Sequence, residues 1–360
     1  MDLEQRLTLV TRNTEETVTL QELRVLLETE AKPKAYWGFE SSGLMHIGIG
    51  FCGYKIKDMV KAGFDFIIFL ADWHSWINNK LGGNMENIRT CGEYFKECFT
   101  ALGVNPDSVG YVWASDIAKD IEYWERVIRI AKNSSLQRTW RALPIMGRET
   151  DLTDMETAWV YYPCMQAADI FHMNLDVACA GMDQRKAHML ARDIAEKLHW
   201  KKPVSIHTHL LMGLQEPEKL EKRFDEDTNI NLQISSKMSK SVPQTCIFIH
   251  DTPDDIEAKV RAAYCPPKQV RGNPVLELVK YVIFAERESL DIPRPSEYGG
   301  PERYETYAEA EKAYLEGKLH PLDLKNGVAE ALAEILKPVR EHFRRRPQTL
   351  KKMMEIEITR

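Results

Sequence analysis

Residues 35–50, AYWGFESSGLMHIGIG, limit the fold more than any other stretch of the chain. A short strand, Lys34 to Phe39, runs into a glycine- and serine-rich turn, and a helix opens near His46. Gly43 and Gly48 allow a tight turn and a close backbone approach to a ligand. A helix start presents unpaired N–H groups and the positive end of the helix dipole, so it suits a phosphate. His46 could add a side-chain donor at the same place. The same residues also describe an ordinary strand-to-helix turn with a capping histidine.

The chain around this stretch alternates. Asp65 to Leu70, DFIIFL, is the near-continuous apolar run of a strand buried on both faces. ADWH follows it, at the end where α/β sheets carry ligand residues. Helices are expected over Met85 to Leu102, Asp120 to Ala131 and Gln184 to Leu198, with strands at Gly110 to Ala114, Asp176 to Ala180 and Val204 to His209. That alternation predicts a doubly wound, parallel, Rossmann-type α/β sheet. A mostly helical stretch, about residues 120–172, interrupts it as an insertion. Met1 to about Ala31 reads as helical, with a capping-box pattern at Thr19 and Glu22. The boundaries drawn are 1–232 for the catalytic domain, 233–250 for a polar loop and linker, and 251–360 for an all-α domain. Within the last, helices are expected at Pro253 to Ala263, Pro274 to Glu286, Tyr304 to Gly317 and Leu322 to His342.

Composition narrows the setting. The 360 residues carry a net charge of -6, with 28% charged and 9% aromatic residues, which excludes wholesale disorder. Seven scattered cysteines form no CxxC pair, so reduced thiols in a cytoplasmic protein are expected, with no structural metal. The N-terminus has no apolar core of a secretory signal, and no run is long enough to span a bilayer. A basic tail (Arg340, Arg344, Arg345, Arg346, Lys351, Lys352) reads as a solvated helix face that could also meet phosphates.

Two motifs carry chemistry together: HIGI at His46 to Ile49, and KMSKS at Lys237 to Ser241 in the polar loop. Reaction at a nucleotide α-phosphate needs the charge on departing pyrophosphate neutralised, and preorganised donors and lysines supply that. The pair resembles the two signature motifs of class I aminoacyl-tRNA synthetases. YWGFESSG, FLADWHSW, YYPCMQAADI, GMDQRKAHMLAR, AYCPP and HPLDLKN narrow the resemblance to tyrosyl-tRNA synthetases of the archaeal and eukaryotic type. Ile49 departs from the pattern, since a second histidine often stands there.

The resemblance implies ATP-dependent attachment of tyrosine to tRNA through a tyrosyl-adenylate. ATP would be the co-substrate, with Mg2+ on its phosphates; the partners would be L-tyrosine and tRNA(Tyr), and the protein a homodimer. His46, Lys237 and Lys240 would be catalytic. Tyr36 and Asp169 would bond the tyrosine hydroxyl, Tyr162, Gln166 and Gln184 would hold its ammonium group, and Phe69 would shape the wall. Gly38, Gly48, Met238, Ser239 and Asp183 would complete the ATP site. Arg141, Tyr298, His320 and Asp323 would contact tRNA. From spacing alone, Tyr162, Gln166 and Asp169 share one helix face; Asp323 also suits a plain helix cap; and Asp72 and His74 read equally as loop supports. A tryptophanyl enzyme, a noncatalytic RNA-binding relative and a small-molecule adenylyltransferase stand as alternatives.

Overall fold

The computed structural model describes residues 1–147, 155–217 and 228–356. Six strands form the main sheet: β1 (Glu16–Val18), β2 (Lys34–Phe39), β3 (Asp65–Leu70), β4 (Val109–Trp113), β5 (Val177–Gly181) and β6 (Val204–Thr208). Their order is β1-β6-β5-β2-β3-β4, parallel throughout except that β1 runs antiparallel to β6. The crossovers reverse between β5 and β2. Such a reversal opens a crevice at the carboxyl ends of the strands, where doubly wound sheets bind ligands.

Alternation along the strands sends successive side chains to opposite faces. Tyr36, Phe69 and Ala178 pack with Tyr123, Met165 and Leu190 on one face. Trp37, Phe39 and Ile68 join a core on the other face that continues into the C-terminal helices. β3 is buried on both sides, with Phe66, Ile68, Phe69 and Leu70 at most 1% exposed, as its apolar run requires.

The first 31 residues do not form one helical unit. Two helices, Leu3–Thr11 and Leu20–Thr29, flank the edge strand β1. Three residues carry too little periodicity to announce a strand; Glu15 N–H bonds His207 O at 2.9 Å, and pairing with β6 makes it one. The capping box at Thr19 and Glu22 is formed.

The polar loop is more tethered than its composition suggests. Ser235 and Ser236 end a helix, Thr228–Ser236. Lys237 bridges Met212, Met238 is 4% exposed, and its N–H donates to Leu211 O at 2.7 Å. The helical region also carries a short antiparallel ribbon of β7 (Leu290–Ile292) and β8 (Glu302–Tyr304). The stretch from Leu322 to His342 divides into Pro321–Ile335 and Lys337–Arg345, where Pro338 enters at a helix start. The latter helix meets Met85–Ala101 through a His342–Glu97 bond and a Phe343–Tyr94 contact at 5.7 Å. Arg340 turns inward to carbonyls of Asp251 and Ala333, so it leaves the solvated basic face.

Candidate active site

A cleft of about 260 Å³ opens at the crevice between β2 and β5. At one end, Asp169 lies on the helix Tyr162–His172 and is 1% exposed. Its Oδ1 accepts from the Tyr123 hydroxyl at 2.9 Å, and His74 Nε2 lies 3.2 Å from Oδ2. Burial disfavours a charged His74, but Asp169 outweighs it and raises the imidazole above its ordinary value. Tyr36 lines the same end, and burial followed by the Asp169 charge pushes its phenol well up. Phe69 meets Tyr36 edge-on at 6.1 Å.

Tyr162 and Gln166 continue the Asp169 helix face into the cleft, so the i, i+4, i+7 spacing marks a buried stripe. The Tyr162 hydroxyl donates to Glu40 Oε1 at 2.8 Å. Gln166 Nε2 donates to Gln184 Oε1 at 3.2 Å, and Gln184 Nε2 donates to Ile145 O. Gln166 Oε1 is buried without a partner. A buried acceptor left unpaired is costly, so it favours a donor arriving in the cleft.

The other end joins the two motifs. His46 is buried and makes no capping bond to its helix, so the capping explanation fails. Its Nδ1 lacks a partner. Burial, then Lys240 and Lys237, push His46 down to about 3, so it is neutral at any ordinary pH. A Cβ on Gly48 would stand 2.9 Å from His46 Nδ1 and 3.4 Å from Met238 Cβ, so only glycine lets these motifs meet. Lys237 Nζ donates to Asp183 Oδ2 at 2.9 Å, and that carboxylate, against burial, holds the lysine above its usual value. Lys240 Nζ donates to Ser42 Oγ at 2.9 Å; burial, helped by Lys80, brings it down to about 8. Gly38 and Ile49 also line the cleft. Ser239 is exposed and bonds Ser241 outside it.

The structure thus gathers Tyr36, Phe69, Tyr162, Gln166, Asp169, Gln184, Gly38, His46, Gly48, Asp183, Lys237 and Met238 around one cleft, with Lys240 against its turn. The pair Asp72 and His74 divides. Asp72 is fully buried and accepts from Trp73 and Ser115 N–H, a loop support, whereas His74 faces Asp169. Sequence reading missed Glu40 and His209 in the cleft lining and Tyr123 behind it on Asp169. Glu40 stood at the end of β2 in GFESSG, where strand ends carry ligand groups, and His209 just past β6; Tyr123 lies on the insertion with no local signal. Among the described residues, no group of His, Cys, Asp or Glu is disposed to hold a metal.

Arg141, Tyr298, His320 and Asp323 lie away from the cleft lining. Arg141 is exposed on Leu136–Ala142. Tyr298 is 69% exposed, and Arg294 ties its turn to the link that leads into the helix Pro321–Ile335 by bonding Gly300 O and Lys318 O. His320, not Asp323, caps that helix, accepting from Leu322 N–H at 3.2 Å. The half-buried Asp323 sits in its first turn, free of the capping duty its position suggested.

Known proteins share this fold. The family model described as tRNA synthetases class I (W and Y) matches residues 28–337. A curated tyrosine--tRNA ligase of Aeropyrum pernix is 49% identical over 341 residues, covering 94% of this chain and 93% of the relative. The crystal structure of tyrosyl-tRNA synthetase complexed with L-tyrosine from Pyrococcus horikoshii superposes with a TM-score of 0.91 at 44% identity, covering 99% of this chain and 100% of that one. A tryptophanyl-tRNA synthetase from Plasmodium falciparum, 18% identical with a TM-score of 0.69 over 98% of this chain and 89% of its own, shares the fold.

Proposed function

The chain belongs to the class I tRNA synthetases of the tryptophan and tyrosine type, and from that premise we propose how its cleft attaches tyrosine to tRNA. The observation that carries the assignment is one cleft with a buried Tyr36–Asp169 end and a lysine-rich end. A tyrosine hydroxyl donates to Asp169 and accepts from Tyr36. Its ammonium group reaches Gln166 Oε1 and the Tyr162–Glu40 pair, which brings its carboxylate toward the motifs. That carboxylate attacks the α-phosphorus of ATP; the bond to pyrophosphate breaks as the mixed anhydride forms. Lys237, Lys240 and neutral His46 stabilise charge on the departing oxygens, so catalysis rests on placement and electrostatics. The 3′-terminal ribose hydroxyl of tRNA then takes the tyrosyl group, and AMP leaves. An indole cannot both donate and accept at the Tyr36–Asp169 pair, which favours tyrosine over tryptophan.

ATP is the co-substrate. Magnesium fits as a companion of its phosphates, because Asp183 and Glu40, the carboxylates nearest the lysine end, already hold Lys237 and Tyr162. Residues 1–232 act as the catalytic domain and 233–250 as its lysine loop. Residues 251–360 act as the anticodon-binding domain, where Tyr298 and His320 stack on bases and Asp323 accepts from a base edge. Arg141 on the insertion meets the acceptor stem. A homodimer forms through the insertion, where Ile121 and Ile128, 79% and 49% exposed, share one helix face. The seven unpaired cysteines suit the cytoplasm, and no helix among the described residues is long and apolar enough to cross a membrane.

Amino-acid-dependent exchange of pyrophosphate into ATP tests the reading, run with tyrosine, tryptophan and phenylalanine, with and without tRNA. Exchange with tyrosine alone is expected. Exchange with tryptophan, or with no amino acid, overturns it.

A further inference from the structure

His209 follows β6 and lines the lysine end of the cleft. It is 6% exposed and held from three sides. Its Nδ1 lies 2.9 Å from Glu15 Oε1, and its Nε2 lies 3.0 Å from Glu277 Oε2. The Tyr281 ring stacks on the imidazole at 4.2 Å and 9°, and the Tyr281 hydroxyl donates to Glu15 Oε1. Glu15 comes from the segment before β1, Glu277 and Tyr281 from the helical region. Lys280 lies over the Tyr281 ring at 4.8 Å, and Tyr307, bonded to Glu311, stands beyond.

A neutral imidazole has one N–H, so one carboxylate would face a lone pair. With a carboxylate at each nitrogen and an aromatic face below, the site fits an imidazolium. Burial works against that charge, yet the two glutamates prevail and bring His209 up to about 9.

The contacts continue toward the motif. Glu277 Oε2 also accepts from Met212 N–H at 3.0 Å. Met212 pairs with Lys237, Met238 N–H donates to Leu211 O, and Gly213 N–H donates to Ser236 O at 2.9 Å. One carboxylate of the helical domain therefore grips both His209 and the backbone that seats the lysines.

We propose that His209 is a positioning residue: paired with Glu277, it ties the helical domain to the 209–214 segment and through it holds Lys237 in place for ATP. The inference rests on the assignment of Lys237 to the ATP site. Tyrosine binds at the opposite end of the cleft, so only the nucleotide should feel the tie.

The full-length protein is tested as His209→Gln and as Glu277→Gln, which keeps an acceptor for Met212 N–H. Pyrophosphate exchange is measured against ATP and tyrosine separately. Each variant is expected to raise KM for ATP about fivefold or more, with KM for tyrosine unmoved. The double variant should be no worse than the worse single one, as for two halves of one contact. An unchanged KM for ATP in folded His209→Gln overturns the proposal. So does a parallel rise in both KM values, or a double variant whose effects multiply. If His209→Gln does not fold, Glu277→Gln and Glu15→Gln carry the same measurements. Lys237→Ala separates the two levels. If it keeps full activation, the ATP assignment falls; if it loses activation while His209→Gln stays normal, only the role of His209 falls.

Discussion

Asp169→Asn is the sharpest test of the cleft. The side chain keeps its size and still accepts a bond, so Tyr123 retains a partner, but the buried charge is gone. A hydrogen bond to a charged group contributes about 1.5–3 kcal/mol, against about 0.5–1.5 for a neutral one. Asp169 is 1% exposed, so solvent screens little of that difference. That difference, about 1–1.5 kcal/mol, is about 5- to 12-fold at about 1.4 kcal/mol per factor of ten, so kcat/KM for tyrosine should fall by that much. Phenylalanine offers no hydroxyl, so its kcat/KM should hardly move, and the ratio of the two collapses by the same factor. Sites built to bond a hydroxyl reject the analogue lacking it, and tyrosyl-tRNA synthetases are the known example of that rule, so the starting ratio is not worked from these distances. Asp169→Ala is a poorer choice. It strips partners from Tyr123 and His74 as well, at about 1–3 kcal/mol for each buried group left unpaired. The assay is pyrophosphate exchange with each amino acid, on protein whose melting matches the parent. A tyrosine-to-phenylalanine ratio equal to that of the parent refutes the assignment.

Four further expectations follow, three from the cleft and one from the helical region. With Lys240 near 8, the free enzyme loses that positive charge as pH rises past about 8, so kcat/KM for ATP should decline there; Lys240→Arg should move the decline upward, and a limb that stays put assigns it to another group. His46, held near 3, should contribute no limb between pH 5 and 8. Gly48→Ala drives a methyl against His46 and should cut activation up to about 10²-fold with little loss of melting temperature; normal activation would show that the His46 ring position does not matter. Asp323→Ala should raise KM for tRNA roughly tenfold while tyrosine activation without tRNA keeps its rate, and aminoacylation kinetics over a tRNA titration would expose an unchanged KM.

Much of this was readable because it is local. β3 is legible in DFIIFL because a strand buried on both faces must be apolar at nearly every position, as it is after Asp65. The polar stripe Tyr162, Gln166, Asp169 is legible because 3.6 residues per turn puts those positions on one face. Edge strand β1 was not, since its three residues become a strand only by pairing with β6. The tethering of the lysine motif was equally hidden: SSKMSKS is polar except for Met238, and its anchors, Met212 and Leu211, belong to a segment more than twenty residues earlier.

The sequence by itself determined the doubly wound sheet, the pairing of HIGI with KMSKS and the polar stripe of Tyr162, Gln166 and Asp169. Each is written in periodicity or in a short run of residue types. Tertiary structure alone decided which charges meet. It set Tyr123 and His74 on Asp169, Glu40 under Tyr162, and His209 between Glu15 and Glu277, so that two histidines of one sheet edge, His46 and His209, are held in opposite protonation states. A side chain's charge depends on burial and on neighbours brought from distant segments, and no local pattern records either.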